Sequence, residues 1–212
     1  MGYKAFASMC VAVIGNEKLS AVLAQGLALA DHEVFIGIKE DQSIYFDFLV
    51  DEFDNIHVTT VGDAAEHADL IIMAAAPDDV REMAYLLDDV RSKVIIDVSN
   101  MNASVGKAYL NTLHAIKAIT GSRHLVKCFN AAGFQPLAGI SGDNKIEMFV
   151  AGDDLKAKET AKIIARDLGF ADCHDFGGSD SVPLLDEMAI CYHHLAARQE
   201  QGEKIAITIS RQ

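Results

Sequence analysis

Apolar positions come in blocks along the chain. "MCVAVIG" (9–15), "EVFIGIK" (33–39), "IHVTT" (56–60), "DLIIMAAAP" (69–77), "KVIIDVSN" (93–100) and "HLVKCFN" (124–130) are short runs rich in Val, Ile and Leu. A run that stays hydrophobic at successive positions is buried on both faces, as strands of a parallel sheet are. Between these runs lie segments of helical character. They are the Ala/Leu-rich "LSAVLAQGLALA" (19–30), "IYFDFLVDEF" (44–53), a turn at "AAEHA" (64–68), "PDDVREMAYLLDDV" (77–90) and "SVGKAYLNTLHAI" (104–116). The segment at 77–90 carries acidic residues in its first turn, where the helix dipole favours them. Strands alternating with helices predict an α/β fold: a Rossmann-type doubly wound parallel sheet, covered on both faces and connected by right-handed crossovers.

The rhythm changes after residue 130. A Gly-rich loop (131–144) precedes "KIEMFVAGD", "DLKAKETAKIIARDLGF", "DCHDF", the helix "SVPLLDEMAICYHHLAARQ" and the terminal "KIAITIS". The expected organisation is a dinucleotide-binding domain over 1–130 and a small C-terminal α/β extension, 131–212, packed on it. The second part is too short to form a large substrate domain.

Charge narrows the partners. A formal net charge of −13 over 212 residues argues against nucleic acid, whose binding depends on neutralising phosphates, and against an anionic membrane surface. The apolar stretch at 5–14 ends at Asn16, Glu17 and Lys18 and is too short to span a bilayer. The four cysteines, Cys10, Cys128, Cys173 and Cys191, form no C-x-x-C pair. They lie in or beside apolar runs, so buried free thiols and a cytoplasmic location are expected.

The candidate chemistry begins at "VAVIGNEKLS" (11–20). A dinucleotide fingerprint reads G-x-G-x-x-G. Its first glycine makes the tight turn, the second lets the backbone approach the pyrophosphate, and the third lets helix and strand pack closely. Gly15 fills the first place, Glu17 the second and Ser20 the third. Ser20 is small enough for its role. Glu17 crowds a phosphate and repels it, by roughly 4 kcal/mol for unit charges about 4 Å apart at an effective dielectric of about 20. Rotation of Glu17 into solvent, or the neighbouring Lys18, would offset part of this. At the end of the next strand, "GIKE" places Lys39 where a 2′-phosphate would sit, favouring NADP, while Glu40 keeps NAD open. The plain alternative for both is a pair of solvated loop charges.

The blocks "GNEKLSAVLAQGLALADHEVFIGIK", "DLIIMAAAP", "KVIIDVSN", "HLVKCFN" and "MFVAGDDLKAKETAKIIARDLGF", in this order, resemble the NADP oxidoreductase, coenzyme F420-dependent family. They are also similar to the NADPH-dependent reductase domain of flavin-linked metalloreductases. The resemblance implies hydride transfer between NADP(H) and a flavin, a deazaflavin (coenzyme F420) or another small-molecule acceptor, and a homodimer. It implies a phosphate turn at Asn16, Glu17, Lys18 and Leu19 and a 2′-phosphate end at Ile38 and Lys39, where the family usually has Ser and Arg. It further implies a cofactor border at Ala75, Ala76 and Pro77, and a nicotinamide end at Ser99 and Asn100. Met101 replaces the proline that usually follows "DVSN". The departures gather at the phosphate positions. They leave open an alternative: a Rossmann-fold binding or regulatory protein with a degenerate, non-catalytic nucleotide site.

Hydride transfer asks the protein mainly to align two reactants and exclude water, so no catalytic residue is singled out. Lys127 has two readings, a group near the acceptor or a structural ion pair. The stretch 130–144 likewise reads as a gate or as a surface connection. Met188, Ile190 and Leu195 suit a core or dimer surface rather than a flavin pocket. No metal site is expected: His193 and His194 are adjacent on a helix and point about 100° apart, and none is expected at Cys173-His174-Asp175 either.

Overall fold

The computed structural model describes residues 8–15, 18–39, 46–99, 109–129, 146–198 and 205–209. Its strands are β1 (Cys10–Ile14), β2 (Glu33–Ile38), β3 (Ile56–Thr60), β4 (Leu70–Met73), β5 (Val94–Asp97), β6 (Leu125–Cys128), β7 (Glu147–Ala151) and β8 (Asp172–Gly177). They form one eight-stranded sheet in the order β3-β2-β1-β4-β5-β6-β7-β8. Every neighbouring pair is parallel except β6 and β7, which are antiparallel. The C-terminal strands therefore extend the same sheet. The fold is the doubly wound α/β arrangement expected from the alternating blocks.

Successive strand residues point to opposite faces, and each face has its own core. Val11, Val13, Val34, Ile36 and Ile72 pack with α1 (Lys18–Leu29), Leu49 of α2 (Asp47–Glu52) and α6 (Leu155–Asp167). Ala12, Ile14, Ile71, Met73 and Ile95 pack with α3 (Val61–His67), α4 (Val80–Tyr85), α5 (Thr112–Thr120) and the first turn of α7 (Val182–Arg198). Gly37 is required here by proximity rather than by its dihedral angles. A Cβ on it would stand 2.5 Å from the Ile14 side chain and 3.0 Å from the Ala64 Cβ.

Several helix boundaries differ from those expected. The helix read at 104–116 is α5, which begins at Thr112. Asn111 is extended and its side chain accepts from the His114 N–H, so it caps the helix there. Residues 104–108 lie outside the described set. The helix read at 77–90 is shorter, because Pro77–Asp79 form a turn and Asp89 adopts a left-handed φ of 46°. The "KIAITIS" segment makes a single bridge at Ala206, and the Ile209 N–H donates to Glu147.

The thiols also depart from the expectation. Cys128 and Cys173 are buried, with sulfurs 3.8 Å apart, but Cys10 is half-buried and Cys191 is exposed on α7. Burial pushes the Cys128 thiol well above its ordinary pKa, and its contact with Cys173 adds to this. All four are free.

Candidate nucleotide site at the strand-order reversal

The chain leaves β1 towards β2 and β3, then crosses to lay β4 on the other side of β1. Ligands of doubly wound sheets bind outside the carboxyl ends of the strands at such a reversal. Gly15 occupies that point. Its φ is +152°, and a Cβ on it would stand 2.4 Å from the Ala74 carbonyl oxygen and 2.8 Å from the Ser20 hydroxyl. The Gly15 N–H donates to the Gly37 carbonyl and the Ala74 N–H to the Ile14 carbonyl, so the turn is tied to both neighbouring strands. Ser20 is fully buried, with Oγ 3.5 Å from the Ala74 carbonyl oxygen. The residue in the third fingerprint place thus packs the start of α1 against the strand end, as a small residue must.

The other expected site residues divide into three groups. Lys18 is exposed and Leu19 half-buried in the first turn of α1, while Asn16, Glu17, Glu40, Asn100 and the stretch 130–144 lie outside the described residues. Ala75 is buried, and Ala76 and Pro77 are half-buried beside the β1 end. The Ala76 carbonyl accepts from the Asp79 and Val80 N–H groups and so shapes the entry to α4. Ser99 is buried at the end of β5. Its N–H donates to Asp97 at 2.9 Å, and its hydroxyl lies 3.4 Å from the Met73 carbonyl. Ile38 is 7% exposed and belongs to the core, so its side chain offers nothing to a phosphate.

Lys39 is not a free solvated charge. Its ammonium lies 2.6 Å from a Glu82 carboxylate oxygen and 3.3 Å from one of Asp79. The hydrogen bond to Glu82 is the main reason its pKa is raised; burial opposes it, and Asp79 adds to the rise.

A second charged group, Lys127, lies deeper at the same end of the sheet, with no exposed side-chain surface. It donates to Asp97 at 3.0 Å, to the Thr112 hydroxyl at 2.8 Å and to the Ser99 carbonyl. The Thr112 hydroxyl lies 2.5 Å from the same Asp97 oxygen. Asp186 of α7 stands 3.2 Å from the ammonium as an ion pair, and among the described residues neither of its carboxyl oxygens has a hydrogen-bond partner of good geometry. Burial raises the Asp186 pKa, Lys127 opposes the rise and the charge on Asp97 adds to it.

Of the two readings of Lys127, the structure shows the ion pair. Asp97, Thr112 and Asp186 were not singled out by sequence reasoning. The usable signal was a lone charge inside each of two apolar strands, "VIIDV" and "LVKCF", since a buried charge needs a partner. Among the described residues no group of three or more His, Cys, Asp or Glu is placed to hold a metal, and His174 pairs with Glu147 at 3.3 Å. No helix among the described residues is long and apolar enough to cross a membrane.

A doubly wound sheet with a tight glycine turn at its strand-order reversal defines a Rossmann-like α/β fold. Within that class, residues 10–101 match the family described as NADP oxidoreductase coenzyme F420-dependent, the family that the sequence blocks resemble. Solved structures share the fold. A protein from Arthrobacter sp. FB24 assigned as an F420-dependent NADP-reductase superposes with a TM-score of 0.81 at 20% identity, covering 96% of this chain and 100% of its own. An imine reductase from Pseudomonas sp. gives 0.67 at 16% identity, over 90% of this chain and 64% of its own. A pyrroline-5-carboxylate reductase from Coxiella burnetii gives 0.61 at 15% identity, over 92% and 72%.

Proposed function

We propose that this protein is an NADP-dependent oxidoreductase that moves hydride between NADP(H) and a flavin- or deazaflavin-like or other small acceptor. The observation that carries the proposal is the Gly15 turn. With a φ of +152° and the Ala74 carbonyl and Ser20 hydroxyl packed where a Cβ would stand, Gly15 makes the tight turn at the strand-order reversal, where a dinucleotide lies on such folds. The family match over residues 10–101 supports the nucleotide class. Bound NADP(H) would supply or accept the hydride at its nicotinamide ring. The chain's own residues would bind and orient it: Gly15, Lys18 and Leu19 at the phosphate turn, Lys39 at the 2′ end, Ala75–Pro77 along its border and Ser99 towards the nicotinamide. The buried Lys127 fixes the Ser99 carbonyl from behind and so acts as a positioning residue.

The test is direct binding of NADP⁺ and NAD⁺ by calorimetry, followed by NADPH consumption with flavin and deazaflavin acceptors. A measurable dissociation constant with turnover supports the proposal; absence of binding by either nucleotide at millimolar concentration refutes it. The second reading is a binding or regulatory protein with a degenerate nucleotide site. It is favoured by the two carboxylates already occupying Lys39, and nucleotide binding without turnover on any acceptor selects it. A homodimer is proposed by analogy with the family and is supported by the exposed Leu184, Ile190 and Leu195 on α7; sedimentation velocity tests it.

A further inference from the structure

We infer that Asp79 and Glu82 set the nucleotide preference of this protein by competing with a 2′-phosphate for Lys39. The inference rests on the proposal that a dinucleotide binds at the Gly15 turn.

Lys39 follows β2, whereas Asp79 and Glu82 belong to the turn after β4 and the first turn of α4. β2 and β4 are the two neighbours of β1. Their ends are two strand spacings apart, roughly 10 Å. The ion pair therefore reaches across the carboxyl end of β1, the strand that runs into the Gly15 turn. Backbone geometry does not demand the contact. It exists because the Lys39 side chain reaches across the reversal point.

Charge counting gives the contact a consequence. One ammonium meets two carboxylates, so the latch carries a net charge of about −1 at neutral pH. A 2′-phosphate must first displace both carboxylates from Lys39, and it then remains beside them. A 2′-hydroxyl carries no charge and can donate a hydrogen bond to either carboxylate. Asp79 and Glu82 thus weaken NADP(H) and leave NAD(H) unaffected or favoured. Nothing else described nearby offsets this. Ile38 is in the core, Lys39 offers a point charge rather than the forked guanidinium of an arginine, and the Arg81 guanidinium lies over the Tyr109 ring at 5.5 Å. Asp79 and Glu82 are 45% and 65% exposed, so neither is needed for the core.

The experiment measures dissociation constants of NADP⁺ and NAD⁺ by calorimetry at low and physiological salt. The proteins are the wild type, Asp79→Asn/Glu82→Gln, and the same pair with Lys39→Ala added; melting temperatures confirm folding. The carboxylate variant is expected to tighten NADP⁺ relative to NAD⁺ by about fivefold or more, of the order of one exposed ion pair. The gain should shrink with salt and fall, without vanishing, when Lys39→Ala is added, because the site then goes from about +1 to neutral against about −1 in the wild type. Glu82→Gln alone should give part of the gain, which keeps the test informative if the double variant fails to fold. An unchanged NADP⁺/NAD⁺ ratio, or a gain undiminished by Lys39→Ala, overturns the inference while leaving the proposed function standing. Failure of every form to bind either nucleotide overturns both.

Discussion

Gly15→Ala would place a methyl group 2.4 Å from the Ala74 carbonyl oxygen, at a φ of +152° that side-chain-bearing residues rarely adopt. The expected cost is about 2–4 kcal/mol of stability, from backbone strain and overpacking together. Loss of nucleotide binding should accompany it. Chemical denaturation checks the first and calorimetry the second; a variant of unchanged stability would contradict the described turn. The buried charges call for a different pair of substitutions. Lys127→Met keeps volume but leaves Asp97 and Asp186 without a cation, so a loss of about 3–5 kcal/mol is expected.

Asp186→Asn should behave otherwise. The folded protein holds the Asp186 carboxyl above its ordinary pKa, first through burial. A carboxyl raised in the folded state contributes most favourably when protonated, below the ordinary carboxylate range. That contribution is lost as pH rises through the raised value. Relative to wild type, Asp186→Asn should therefore gain stability as pH rises from acid towards neutral. Urea midpoints measured across that range test the sign, and a variant that loses stability relative to wild type as pH rises would show that attraction to Lys127 outweighs burial.

At the scale of elements, local rules and tertiary contacts divide the credit. The apolar runs gave β1, β2, β3, β4, β5 and β6 their places because both faces are buried, which leaves a continuous hydrophobic signature. Helix ends were less legible. α5 begins at Thr112 because Asn111 is extended and its side chain takes the His114 N–H; the periodicity upstream says nothing of that. Asn111→Ala is expected to cost about 1 kcal/mol, the usual value of such a cap, readable as a shift in denaturation midpoint. The glycine turn was legible because it is local: Gly15 and Ser20 lie five residues apart and act on the same Ala74 carbonyl. The partners of Lys39 were not legible, because Asp79 and Glu82 lie on another crossover, 40 and 43 residues away. Lys127 and Asp186 come together only once α7 packs on the sheet.

For the molecule as a whole, ligand binding and stability are one equilibrium. If NADP⁺ binds the folded chain alone, a concentration one hundred times its dissociation constant should stabilise it by about 2.7 kcal/mol. A thermal shift series with NADP⁺ and NAD⁺ therefore reports both affinity and preference, and a flat response to both at saturating millimolar concentration would contradict a dinucleotide site. The acidic composition bears on such measurements. With a formal charge of −13, long-range repulsion of an anionic nucleotide weakens association most at low ionic strength. Part of any salt dependence will come from the whole surface. That is why the comparison between two nucleotides on one protein is more informative than either affinity alone.

The antiparallel turnover at β7 divides the molecule into two rims that face opposite ways. β1 to β6 end on the rim with the glycine turn, whereas β7 and β8 end on the other. The bends that follow them, at Gly152–Asp154 and Gly177–Ser181, belong to that far rim. The two rims are nonetheless joined: α7 starts on the far rim at Val182, directly after the second bend, and carries Asp186 to 3.2 Å from the Lys127 ammonium. A peptide inserted after Ser179 would therefore pull on the helix that carries Asp186, and the far rim acts as the handle of a lever whose other arm is the buried charge cluster.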